Sequence, residues 1–347
     1  MLLIALRDLQ FRSRRFLISV IAVALVLALT LLLAGVAASF DTEAERTLDQ
    51  LEVETWVVPE EASGPFLGAI PLSEDTVATV GALDGVDAAE PMGFFSMTID
   101  DRGSAKPITL IGVQPGAIGS PQPDSGQQLT GSGQALVGPG VGVDGGETLS
   151  VGPLTLTVVG EFERSTLLGG MPNVFVAMDD LQEIAYRGAP VIMAVAVDGA
   201  PSDVPTGLKV MARGDAHADL TRPIAPAKST ITLISVLLWI VTGCIIGSVI
   251  YLSALERMRD FAVFKAIGVS TVSVLLGLIL QAVLLSLVAS SLAIVVARLL
   301  SPLMTIPADL PVSALVLVPL TAVIVSVLGS LAGVRRAVNV DPALAFG

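Results

Sequence analysis

The 347 residues are 53% hydrophobic, 15% charged and of mean hydropathy +0.80, too apolar for an ordinary water-soluble domain. The formal net charge of −13 argues against nucleic acid as a partner. One Cys and one His exclude an internal disulfide and a His-rich metal site, and nearly exclude histidine acid–base catalysis.

Residues 2–15 mix apolar and basic side chains. Leu2, Leu3, Leu6, Leu9 and Phe11 are spaced to line one face of an interfacial helix, beside Arg7, Arg12, Arg14 and Arg15. Residues 16–38 are the first of four uncharged runs long enough to cross a hydrocarbon core of roughly 30 Å as a helix. The others are 231–253, 272–296 and 312–334. Ser13-Arg14-Arg15 and Val36-Ala37-Ala38 resemble parts of a cleaved export signal. The apolar run exceeds the roughly 7–15 residues of a signal core, so it is read as a retained helix.

Residues 39–229 are far more polar and carry 27 Asp or Glu against 9 Lys or Arg, a net of −18. The N-terminus, residues 254–271 and the tail after 334 together carry 9 Lys or Arg against 4 acids. The positive-inside tendency therefore places both termini and the short loop in the cytoplasm, and the acidic domain outside. Four spans satisfy that order.

Within the acidic domain, Phe40, Ala44, Leu48 and Leu51 recur at helical spacing and extend the first span outward as a stalk. Residues 53–58 read as a strand. Residues 73–83 read as a helix with Ser73 as its N-cap. Strands follow at 94–99 and 108–113. Residues 112–146 hold eleven Gly and four Pro and read as turns, because no Gly-Lys-Ser/Thr phosphate cradle occurs anywhere in the chain. A strand pair, 146–151 and 154–160, flanks Gly152-Pro153. Strand 173–178 leads into helix 179–186, and 191–197 is a further strand. Residues 198–230 are spaced by Pro and charge and return the chain to the membrane. Asp100-Asp101 and Asp179-Asp180 read as solvated surface.

The second span contains Gly243 and Gly247, four apart, which lets helices approach closely. The third contains one strongly polar residue, Gln281. The outer loop 297–311 carries Arg298 and Asp309. No span interior contains an ionisable residue, which argues against a proton relay. A water-filled route for a small hydrophilic solute such as an amino acid is disfavoured for the same lack of polar lining.

Between the second and third spans lies ERMRDFAVFKAIGVS, residues 256–270. Gly268 suits a helix C-cap and Ser270 the start of the next helix. Glu256-Arg257 with Phe261-Ala262-Val263-Phe264-Lys265-Ala266-Ile267-Gly268-Val269-Ser270 resembles a signature of the MacB/FtsX-like (mechanotransmission-type) ABC permeases. Three further segments resemble the family in the same order. They are Gly85-Val86 with Pro91, Gly146-Glu147 through Gly160, and Arg335-Arg336-Ala337 with Asp341-Pro342-Ala343-Leu344. The outer domain is smaller than in the longest members.

The resemblance implies a membrane protein of four transmembrane α-helices, one N-terminal and three C-terminal. An α+β extracytoplasmic domain is inserted between helices 1 and 2. The expected layout is a cytoplasmic interfacial segment 1–15, spans 16–38, 231–253, 272–296 and 312–334, and a core domain with stalk at 39–230. A coupling helix at 254–271, an outer loop at 297–311 and a cytoplasmic tail at 335–347 complete it, in a bacterial plasma membrane.

By the same resemblance the loop is where an ATPase subunit docks. Phe261, Phe264 and Ile267 form the expected apolar face, Glu256, Arg257, Arg259 and Lys265 the polar contacts, and Gly268 the end. The chain itself is expected to hold no catalytic site, cofactor or metal; ATP and Mg belong to the partner. The expected partners are two ATPase copies, a second copy of this chain or a homologous permease, membrane lipid, and an extracytoplasmic protein. Export or extraction of a lipophilic or peptide-like substrate is the first functional reading. A substrate-free mechanotransmitter acting on a cell-wall enzyme or in signalling is the second, and a membrane-anchored binding module with no ATPase the third.

Overall fold

The structure, a computed structural model, describes residues 13–101, 103–256, 263, 268–304, 308 and 310–338. They divide into two compact units: residues 39–226, and the chain on either side. The expected interfacial segment before Ser13 lies outside the described residues.

The first helix, α1 (Ser13–Leu51), is unbroken over 39 residues. At about 1.5 Å per residue that is roughly 58 Å, near twice a hydrocarbon core. The expected inward stripe, Phe40, Ala44, Leu48 and Leu51, is buried. The domain then runs through β1 (Thr55–Pro59), β2 (Leu72–Ser73), α2 (Asp75–Gly81), β3 (Val86–Asp101), β4 (Ser104–Val113), β5 (Ser125–Gly126) and β6 (Gln134–Val137). It continues with β7 (Thr148–Val151), β8 (Leu154–Glu161), β9 (Thr166–Leu167), β10 (Met171–Ala177), α3 (Met178–Tyr186), β11 (Val191–Ile192), β12 (Ala194–Gly199), β13 (Leu208–Ala212) and α4 (Arg213–Thr221).

One mixed sheet has the order β13-β1-β12-β3-β4-β10-β6-β8-β5, with β7 on β8 and β9 on β10. β10 lies near its middle, parallel to β4 and antiparallel to β6. Strand alternation sorts side chains to two faces. Trp56, Phe94, Ile111 and Phe175 share one apolar cluster with Leu48 and Leu51 of α1 and Ala216 and Leu220 of α4. Their neighbours Val57, Leu110, Val174 and Val176 share the other with Val80 of α2 and Leu181 of α3.

Several elements differ from the sequence expectation. Ser73 does not cap a helix: it pairs with Val191 in the β2–β11 ladder, and the helix begins at Asp75. The strand expected at 191–197 breaks at Met193 into β11 and β12. The turn-rich segment contains β6, whose Ala135, Leu136 and Val137 are buried. Residues 198–230 are not a plain linker, because β13 pairs with β1 as an edge strand and α4 follows it. Asp180 is not solvated: it is 7% exposed and accepts a hydrogen bond from Gly133 N at 2.7 Å. Burial pushes its carboxyl above the usual range, with the Asp179 charge adding and the Gly133 N–H opposing.

The second unit contains α5 (Ala225–Glu256), α6 (Thr271–Leu300) and α7 (Val312–Val338), with the inner part of α1. Four helices of the described residues are long and apolar enough to cross a membrane. Small residues are buried on α6 and α7, among them Ala282, Ser286, Ala289, Ala293, Ala322 and Ser326. Ser286 and Ser326 donate to carbonyls of their own helices, Val283 O at 2.9 Å and Val323 O at 2.7 Å. That internal bond satisfies a hydroxyl in apolar surroundings.

Gly243 and Gly247 of α5 face Gly329 of α7. A Cβ on Gly329 would lie 2.7 Å from the Gly243 carbonyl oxygen, and one on Gly247 3.0 Å from that of Gly329. The obstacle is backbone, so it cannot rotate away. Gly329→Val is expected to cost about 1–3 kcal/mol by overpacking. Gly277→Val, at a position with open space around it, is the control. Thermal unfolding of the full-length protein in detergent measures both, and equal melting temperatures would refute the close crossing.

Candidate functional site

α5 ends at Glu256 and α6 begins at Thr271, so the expected docking loop lies between two spanning helices. Of its residues, Val263 is 51% exposed. Gly268 has φ +89°, in the left-handed region where a side chain is strained. Ser270 caps α6: its hydroxyl accepts from Ser273 N at 3.2 Å. Arg257, Arg259, Phe261, Phe264, Lys265 and Ile267 lie outside the described residues. So do Asp341, Pro342, Ala343 and Leu344 of the tail.

In the extracytoplasmic unit, ion pairs join α4 to α1, and hydrogen bonds join it to the loop 63–68. On the exposed side, Arg213 Nη2 donates to Glu45 Oε1 at 2.9 Å and Asp49 Oδ1 at 2.6 Å, and Nη1 is 3.7 Å from Glu54. His217 Nε2 lies 4.0 Å from Glu45. These pairs tie α4 to α1. The carboxylates are largely solvated, so each pair is worth about 0–1 kcal/mol and is weakened by salt.

Further along α4, Asp219 is fully buried. Its carboxylate accepts from Phe66 N at 2.9 Å and Gly68 N at 2.8 Å, with Arg222 Nη1 3.5 Å away. Arg222 also donates to the hydroxyl and carbonyl of Ser63. The loop 63–68 is thereby held down. Phe66 packs edge-on against Trp56 and Phe94, with ring centroids 5.9 and 5.8 Å apart.

On another face of α1, Glu43, Thr47 and Gln50 bond to segment 164–173. None of these groups stands out in the sequence. The available signals were the i, i+4, i+7 spacing of the three α1 residues and the i, i+3 spacing of Asp219 and Arg222. Among the described residues, no group of three or more His, Cys, Asp or Glu is placed to hold a metal ion.

The MacB-like periplasmic core domain matches residues 16–208, and the FtsX-like permease C-terminal region matches residues 232–342. The uncharacterized ABC transporter permease Rv2563 of Mycobacterium tuberculosis (strain ATCC 25618 / H37Rv) is 44% identical over 347 residues, 100% of this chain and 99% of the relative. Another from the same strain, Rv0072, is 41% identical over the same shares of each chain. A putative hemin transport system permease protein, HrtB, of Staphylococcus epidermidis (strain ATCC 35984 / DSM 28319 / BCRC 17069 / CCUG 31568 / BM 3577 / RP62A) is 21% identical, covering 99% of each chain. Four spanning helices and an inserted α+β extracytoplasmic domain define a multi-pass membrane subunit of the permease class. The chain belongs to the MacB/FtsX-like ABC transporter permeases.

Proposed function

We propose that this chain is the non-catalytic membrane subunit through which a separate ABC ATPase moves an extracytoplasmic domain. The loop 256–270 docks the ATPase, with Phe261, Phe264 and Ile267 as its apolar face and Arg257, Arg259 and Lys265 as its charged contacts. Two permease copies pair, each with one ATPase that carries ATP and Mg. The loop and both termini are cytoplasmic, in keeping with their basic charge.

The observation that carries the reading is the short charged connection between α5 and α6, inside the region matched by the FtsX-like family model. The cargo is a lipophilic or peptide-like substrate exported or extracted at the outer face. Spans without ionisable interiors support it, as does the similarity to HrtB, named for hemin transport, since hemin is a large, mostly apolar ring system.

Gentle purification of the native complex tests the proposal. A stoichiometric ABC ATPase whose turnover rises with lipophilic or peptide substrate supports it. A tightly held outer protein without substrate stimulation would replace transport by mechanotransmission. Absence of any ATPase would overturn the coupling itself.

A further inference from the structure

The outer half of α1 carries two stripes turned to the domain, buried except for the half-buried Gln50. Phe40, Ala44, Leu48 and Leu51 are apolar. Glu43, Thr47 and Gln50 are polar, and all three are bonded to one segment of the domain. Thr166 Oγ1 donates to Glu43 Oε1, and Gly169 N to Glu43 Oε2, each at 2.9 Å. Asn173 Nδ2 donates to Thr47 Oγ1 at 3.1 Å and to Ser165 Oγ at 3.2 Å. Ser165 Oγ donates to Gln50 Oε1 at 2.7 Å, and Gln50 Nε2 to Arg164 O at 3.3 Å. Glu43, Thr47 and Asn173 are at most 2% exposed.

Burying a carboxylate, a hydroxyl and an amide costs desolvation that an apolar stripe would not incur. Directional bonds supply what apolar contact lacks, a fixed register along the helix axis. A slip of one turn would strand Glu43 without Gly169 N and Thr166. The bonded loop is itself constrained: Leu168, Gly169 and Gly170 have successive φ of +53°, +88° and +97°, a costly conformation for Leu168. The segment then leads into β10, near the middle of the sheet.

We propose that Glu43, Thr47 and Gln50 form a register lock that ties axial displacement of α1 to segment 164–173 and thence to β10. The lock gives the proposed ATP-driven movement its entry point into the domain, and in that sense rests on the preceding reading. The lock itself can be measured without any ATPase.

The experiment uses full-length protein in nanodiscs, in a Cys244→Ala background. Arg164→Cys is paired in turn with Gln50→Cys and with Arg46→Cys, and cross-linking by a short bis-maleimide is quantified. Gln50→Cys gives up that residue's own two bonds, so the pair reads the register held by Glu43 and Thr47. With Glu43 and Thr47 present, the pair at 50 and 164 is expected to react about tenfold faster than the pair at 46 and 164. Glu43→Leu/Thr47→Val/Asn173→Leu is expected to stay folded and to bring the two rates within about twofold. A folded variant that keeps the tenfold preference overturns the proposal.

Should the triple variant unfold, Glu43→Gln decides instead. Hydrogen exchange at Gly169 is expected to speed about tenfold while β3 and β4 keep their protection; unchanged exchange at Gly169 overturns the lock. Nucleotide and ATPase are absent throughout, so failure of the lock and failure of ATPase coupling give separate results.

Discussion

Arg257→Glu/Arg259→Glu in the full-length permease is expected to release the ATPase, weakening association about 100-fold. Each reversal replaces an attraction by a repulsion across the proposed interface. Truncating one partner of a desolvated interfacial pair costs about 2–5 kcal/mol, and 1.4 kcal/mol is tenfold in affinity. A 100-fold loss therefore needs only about 3 kcal/mol from two positions. Rim-exposed charges would instead slow association and make it salt-dependent. Binding of the purified ATPase to permease nanodiscs, followed at two ionic strengths, separates these cases. The control, Arg164→Glu/Arg187→Glu, changes net charge equally at two exposed residues of the extracytoplasmic unit. Equal loss in loop and control variants would mean a general charge effect. Full binding by the loop variant would remove 256–270 as the docking element.

The spans and the strand pair at 148–161 were legible because their patterns are strong and local. Each span is uncharged over its whole length, and β7 and β8 alternate about Gly152-Pro153, with Val151 opposite Leu154. The β13–α4 segment was not legible. Leu208–Ala212 gains strand geometry from pairing with β1, a long-range contact that Lys209 and its neighbours do not advertise. α4 buries little besides Ala216, Asp219 and Leu220, too few apolar side chains to give a helical period. The polar residues failed for a different reason. Asp180, Asp219 and Glu43 look like solvated acids because single-sequence reading sees charge and not the backbone N–H groups that meet it. Those donors come from residues 47 positions away for Asp180, about 150 for Asp219 and 126 for Glu43. Only the fold brings them together.

Asp219→Ala is expected to be among the most damaging single changes in the extracytoplasmic unit, at about 3–5 kcal/mol. It removes the acceptor of two backbone N–H groups and leaves Arg222 without its buried partner. In a unit of this size each kcal/mol shifts melting by about 2–4 °C, so a drop of roughly 10 °C follows. Trp56, against the held-down Phe66, reports the event in a Trp239→Phe background. Gly64→Ala attacks the same joint from the other side, because its Cβ would fall on the Asp219 carboxylate and lift the loop. Each substitution alone breaks the same bonds. Once they are gone, the released loop is free to carry the added methyl off the Cβ that remains at position 219, which it would otherwise overlap. The double variant should therefore be little worse than Asp219→Ala alone, a large departure from additivity. Additive losses would show that Gly64 is required by its backbone and that Asp219 does not hold the loop.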